Sequence, residues 1–128
     1  MALGMMIAGG RGLVEEHLAF RGGYEHWYAD HPESDFSLYR QRIGFIGFGS
    51  ISREIVRLMQ PFAPIVSAYD PWLDPAVANE HGAELVDLET LVSSNRCVVV
   101  AATPTDENKG LLSSALIDRM PRGTLVVV

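Results

Sequence analysis

The chain has 128 residues, a net charge of −6 and a hydrophobic content of 48%. That length makes one domain at most, and the composition excludes wholesale disorder. The acidic balance argues against a nucleic-acid partner, which wants a basic face. With Cys97 as the lone cysteine, an internal disulfide is excluded and a reducing cytoplasm is the expected compartment.

Residues 2–20 read as one helix running to about Phe20, with Leu3, Met6, Ile7, Leu13, Val14 and Phe20 among its buried residues. Gly9, Gly10 and Gly12 each weaken that helix by about 1 kcal/mol relative to alanine. The stretch lacks a basic leader and is too short to span a bilayer, so no membrane partner is expected. Its abrupt start at Met1 suggests a missing upstream element.

Residues 22–40 are rich in Gly, Pro and Asp and read as a loop. His26, Asp30, His31 and Asp35 match no metal-ligand spacing, and no metal site is expected. Trp27 and Tyr28 are expected to pack against the domain or a partner subunit. His17 and His81 read as surface residues.

The richest stretch runs from Arg42 to Arg53. An apolar, β-prone run, Ile43-Gly44-Phe45-Ile46, leads into Gly47-Phe48-Gly49-Ser50-Ile51, and a helical pattern follows. A second apolar run, Ile65 to Tyr69, ends in Asp70. This is the order of parts in a dinucleotide-binding βαβ unit. Gly47 suits a sharp turn out of the strand, and Gly49 lets a pyrophosphate approach the backbone. The amides from about Ser50 onward then face the phosphates, where helix dipole and unpaired donors favour an anion. Ser52 stands at the third glycine position and is small enough for close helix–strand packing. Asp70, 21 residues after Gly49, can accept hydrogen bonds from both adenosine ribose hydroxyls. It repels a 2′-phosphate, which favours NAD over NADP.

Beyond Asp70, a turn at Pro71–Pro75 precedes a short helix ending near His81-Gly82. Glu84–Val86 reads as a strand, and Asp87 as the cap of a helix carrying Leu88, Leu91 and Val92. Residues 97–101 form a continuous apolar run of the kind that fills a parallel sheet covered on both faces, with Cys97 as a buried small residue. Ala102–Thr105 is the loop after it. Ser113 or Ser114 caps a helix through Met120, and Thr124–Val128 is a last strand. The expected fold is an α/β Rossmann-type doubly wound parallel sheet in three α/β/α layers, incomplete at its C-terminal edge. The strand ends at Gly47, Asp70 and Ala101–Thr105 should converge on one crevice. There Thr103 and Thr105 stand on the ribose or nicotinamide side.

Four segments together resemble the D-isomer-specific 2-hydroxyacid dehydrogenases, in their NAD-binding domain. They are Ile43–Arg53, Tyr69-Asp70-Pro71, Thr103–Leu112 and Met120-Pro121-Arg122-Gly123. The first helix is also similar to the one that leads into this domain, so the likeness covers nearly the whole chain, with a leading part over 1–40 and a βαβ core over 41–128. It implies hydride transfer between NAD(H) and C2 of a 2-hydroxy or 2-oxo acid. It implies that Ser50 and Ile51 sit at the pyrophosphate, Asp70 at the adenosine ribose, Pro71 beside the adenine, and Ala102 and Thr103 on the nicotinamide side. Ser52, Arg96 and Thr103 depart from the family pattern.

The family's carboxylate-binding Arg and proton-exchanging His have no counterpart in these 128 residues, nor does its substrate domain. The resemblance therefore implies a chain that binds NAD and is inactive alone. The uncovered apolar edge at Thr124–Val128 suggests association, and a homodimer is expected. A non-catalytic NAD-binding regulator or remnant is the alternative; an S-adenosylmethionine methyltransferase is a further one that the Thr103–Leu112 segment disfavours.

Overall fold

The apolar runs form five parallel strands: β1 (Arg42–Ile46), β2 (Ile65–Tyr69), β3 (Ala83–Leu85), β4 (Cys97–Val100) and β5 (Leu125–Val127). The structure is a computed structural model and describes residues 1–26 and 36–128. The strand order is β3-β2-β1-β4-β5. The chain thus builds outward from β1 on one side, then crosses to the other side at β4, creating a switch in strand order beside β1.

Helices cover both faces. They are α1 (Ala2–Gly10), α2 (Leu13–Arg21), α3 (Ser50–Met59), α4 (Pro75–Glu80), α5 (Leu88–Ser94) and α6 (Ser114–Ile117), with a 3-10 turn at Gln60–Phe62. Alternate side chains of each strand point to opposite faces. Ile43 and Phe45 of β1 join Cys97 and Val99 of β4 in one core with Met6, Val56 and Met59. Ile46 and Val98 face the other way, into a second core with Leu91 and Val92. Each large apolar side chain buried here contributes about 1.5–3 kcal/mol. Burial pushes the Cys97 thiol up to about 12, so it is a packing group at neutral pH.

The N-terminal expectation needs correction. Residues 2–20 are two helices, not one, broken at Arg11-Gly12, where Gly12 takes a left-handed φ of 56°. Met6 is buried and Leu3 packs against the core. Leu13, Val14 and Phe20 are 60%, 64% and 70% exposed, and Ile7 is exposed as well. The break turns α2 away from the sheet, so its apolar residues find no core to enter.

Smaller differences lie at element ends. The third strand is Ala83–Leu85, one residue earlier than expected, and the fourth ends at Val100. Helix α6 stops at Ile117, with hydrogen-bonded turns carrying the chain to Met120. The Asp87 and Ser113 caps form as expected, on the amides of Thr90 and Leu116. His17 and His81 are exposed. His26 pairs with Glu16 at 3.0 Å, while Trp27, Tyr28, Asp30, His31 and Asp35 lie outside the described residues.

Candidate functional site

Strand register builds the site. Ile46 is level with Tyr69 of β2 and with Val100 of β4. The next residues, Gly47, Asp70 and Ala101, therefore leave the sheet side by side. Two backbone hydrogen bonds fasten them: the Gly47 amide donates to the Tyr69 carbonyl at 2.9 Å, and the Ala101 amide to the Ile46 carbonyl at 2.8 Å.

Gly47 has φ 84°, and a β-carbon there would lie 2.7 Å from the backbone of Ala102. Glycine is required twice over, for the left-handed turn and for the close pass of the loop after β4. The Ser52 hydroxyl donates to the Gly47 carbonyl at 2.7 Å and is buried. Serine at the third glycine position thus allows the close packing anticipated for it and ties the turn down.

Asp70 spans the turn. One carboxylate oxygen accepts the Phe48 amide at 2.9 Å and the other accepts the Trp72 amide at 3.1 Å. A carboxylate offers about four acceptor positions, so capacity remains for ribose hydroxyls. The first turn of α3 has Gly49 as its N-cap, with no side-chain cap. Its leading amides are left for an outside acceptor, and a β-carbon built on Gly49 meets nothing within 4 Å. An anionic group therefore fits this loop by both donor supply and space.

These parts enclose a cleft of about 560 Å³. Gly47, Gly49, Asp70, Pro71, Ala102, Thr103 and Thr105 line it, which brings most of the expected cofactor residues together. Ser50 and Ile51 stand exposed at the start of α3, outside its wall. Phe48 is different: its ring is buried, edge-on to Phe45 at 6.0 Å, and its amide is engaged by Asp70.

Sequence reading missed Tyr69, Trp72, Glu107, Asn108 and Leu111 in this wall. Asn108 organises the loop. Its side chain accepts the Thr105 amide at 2.8 Å and donates to the Thr103 carbonyl at 2.7 Å. The signal was the Thr105-x-x-Asn108 spacing, which closes a side-chain-capped turn. A neighbouring crevice of about 710 Å³ opens between Val100, Pro104, Lys109 and Val128.

The switch in strand order, the glycine turn and the acid at the end of β2 define a dinucleotide-binding α/β domain of the Rossmann type. Comparison with known proteins makes this specific. The profile described as "D-isomer specific 2-hydroxyacid dehydrogenase, NAD binding domain" matches residues 3–128, and the chain belongs to that family. It is 31% identical over 126 residues to D-lactate dehydrogenase of Escherichia coli K12, covering 98% of this chain and 37% of that protein. It is 26% identical to D-3-phosphoglycerate dehydrogenase of Mycobacterium bovis, covering 98% of this chain and 23% of that one. Among solved structures, apo D-lactate dehydrogenase from Escherichia coli superposes with a TM-score of 0.81 at 30% identity, over 98% of this chain and 38% of that one. The NAD complex of Staphylococcus aureus formate dehydrogenase shares the fold at TM-score 0.81 and 24% identity, over 98% of this chain and 37% of that one. The chain thus spans between about a quarter and two fifths of the length of these relatives. No helix among the described residues is long and apolar enough to cross a membrane.

Proposed function

We propose that this chain is the cofactor-binding part of an oxidoreductase that moves a hydride between NAD(H) and C2 of a small 2-hydroxy or 2-oxo acid. The convergence of the glycine turn, Asp70 and the Ala101–Thr105 segment on one cleft carries this reading. In it, the leading amides of α3, at Ser50 and Ile51, receive the pyrophosphate, with Gly47 and Gly49 giving it room. Asp70 accepts the adenosine ribose hydroxyls and Pro71 borders the adenine. Ala102, Thr103 and Thr105 contact the nicotinamide side. Phe48 contributes through the position of its backbone.

When bound, NAD supplies the hydride acceptor. The chain's own part is to hold that cofactor at the ends of β1, β2 and β4. The reaction also needs a cation for the substrate carboxylate and an acid/base for the hydroxyl proton. In this reading the 128-residue chain binds NAD and does not turn over alone. The exposed apolar residues of α2 support a homodimer, and the lone buried thiol suits a reducing cytoplasm.

Calorimetric titration of the purified chain with NADH, NADPH and S-adenosylmethionine tests the cofactor reading. NADH binding alone, or in clear preference, is expected. Absence of NADH binding overturns it. A dehydrogenase assay rising above a protein-free blank overturns the claim of inactivity.

A further inference from the structure

Trp72 is the largest side chain of the site with no role in the fold. The residue is 78% exposed, yet it lines the 560 Å³ cleft beside Asp70 and Pro71. Its backbone, in contrast, is pinned. The Trp72 amide is held by the Asp70 carboxylate at 3.1 Å, and the Leu73 amide reaches the Asp70 carbonyl at 3.4 Å. Leu73 then packs against the main core. A large, two-torsion aromatic is thus carried on a fixed turn, in the wall of a cleft, largely exposed to water. Leaving such a surface wet forgoes the burial that aromatic side chains gain when they pack.

We propose that Trp72 is a stacking platform for the purine base of the bound dinucleotide; this rests on the NAD reading above. The chemistry of position selects that ligand. The carboxylate read as the ribose acceptor is Asp70, and the chain leaves it through Pro71 to Trp72. Asp70, Pro71 and Trp72 line one cleft, so a base attached to a ribose held at Asp70 has the indole within the same wall. Among the residues that line the cleft, the indole is the largest aromatic surface, and Pro71 offers it an apolar floor. An indole face attracts a heteroaromatic ring through dispersion and offset stacking, with little regard for the ring's edge groups.

The test is binding rather than turnover. The parent protein and its W72A and W72F variants are titrated with NADH and with ADP-ribose, and the ligand-free forms are melted. Stacking predicts that W72A weakens both ligands by roughly 5- to 100-fold. W72F, which keeps an aromatic face, stays within about threefold of the parent. The melting temperatures stay together, because the side chain is exposed. Unchanged binding by W72A overturns the proposal, and so does an equal loss in W72F. If the parent binds neither ligand, the cofactor reading itself fails and this inference falls with it. If the parent binds and W72A matches it, the stacking role alone is lost.

Discussion

The carboxylate of Asp70 holds the amide of Phe48 at 2.9 Å, so the acid that ends β2 also fastens the glycine turn that ends β1. Its second oxygen holds the Trp72 amide. One side chain therefore shapes the glycine turn and, in the proposed function, receives the ribose. The dual role makes Asp70 harder to replace than a simple ligand contact.

Asp70→Ala is expected to lose NADH affinity and also about 1–3 kcal/mol of stability, because the part-buried Phe48 amide loses its acceptor. Asp70→Asn keeps one carbonyl acceptor and should recover part of that stability. It also removes the charge that repels a 2′-phosphate, so the preference for NADH over NADPH should narrow. Urea unfolding with paired NADH and NADPH titrations checks both. Parent-like stability in Asp70→Ala contradicts the clamp.

The two glycines of the loop should fail in different ways. Gly47→Ala forces a side chain into φ 84° and against Ala102 at 2.7 Å, and is expected to cost about 2–4 kcal/mol of folding stability. Gly49 has φ −74° and open space where a β-carbon would stand. Gly49→Ala should fold within about 0.5 kcal/mol of the parent and weaken NADH by about tenfold, because the methyl enters the cleft. Denaturation curves beside calorimetric titrations separate the two. Equal destabilisation by both substitutions is the contrary result.

Most of the βαβ core was legible because its signals are local. Apolar runs gave β1, β2 and β4, the first ending at Gly47 and the second at Asp70-Pro71, and Asp87 and Ser113 announced the starts of α5 and α6. The register that sets Gly47, Asp70 and Ala101 side by side was implied by parallel pairing alone. The N-terminal segment was misread because apolar composition resembles burial until a neighbour is known. Leu13, Val14 and Phe20 look like core residues, and only the turn at Gly12 sends them outward. Trp72 and Asn108 escaped notice for a related reason. Their parts depend on where the loops fold back, which no periodicity records.

Asn108 should act as a positioning residue for the loop after β4. Its side chain bridges the Thr105 amide and the Thr103 carbonyl at an exposed site, so Asn108→Ala should leave global stability nearly unchanged. Water takes up the freed Thr105 amide and Thr103 carbonyl, so the loss falls on the order of the loop and not on the core. Binding energy must then order the loop, and NADH affinity should fall by roughly fivefold or more. A drop in melting temperature with unchanged affinity would assign Asn108 to the fold instead.

The cap of α5 gives a pH dependence whose sign can be worked out. The Asp87 carboxylate accepts the Thr90 amide at 2.8 Å and the Thr90 hydroxyl at 2.7 Å. These bonds hold its carboxyl below the ordinary aspartate range, the backbone bond most of all. A group lowered on folding stabilises the native state above its unfolded value and loses that contribution as pH falls through the folded one. Glu54, hydrogen-bonded to Arg57, is lowered too and acts in the same direction. Asp87→Asn keeps an acceptor for the Thr90 amide but cannot titrate. The difference in stability between parent and Asp87→Asn should therefore be flat above about pH 5 and shrink as pH falls below about pH 4. The same comparison with Glu54→Gln removes the second contributor. A parent-minus-Asp87→Asn difference that grows as the solution is acidified would reverse the sign and remove the charged cap from the account of α5.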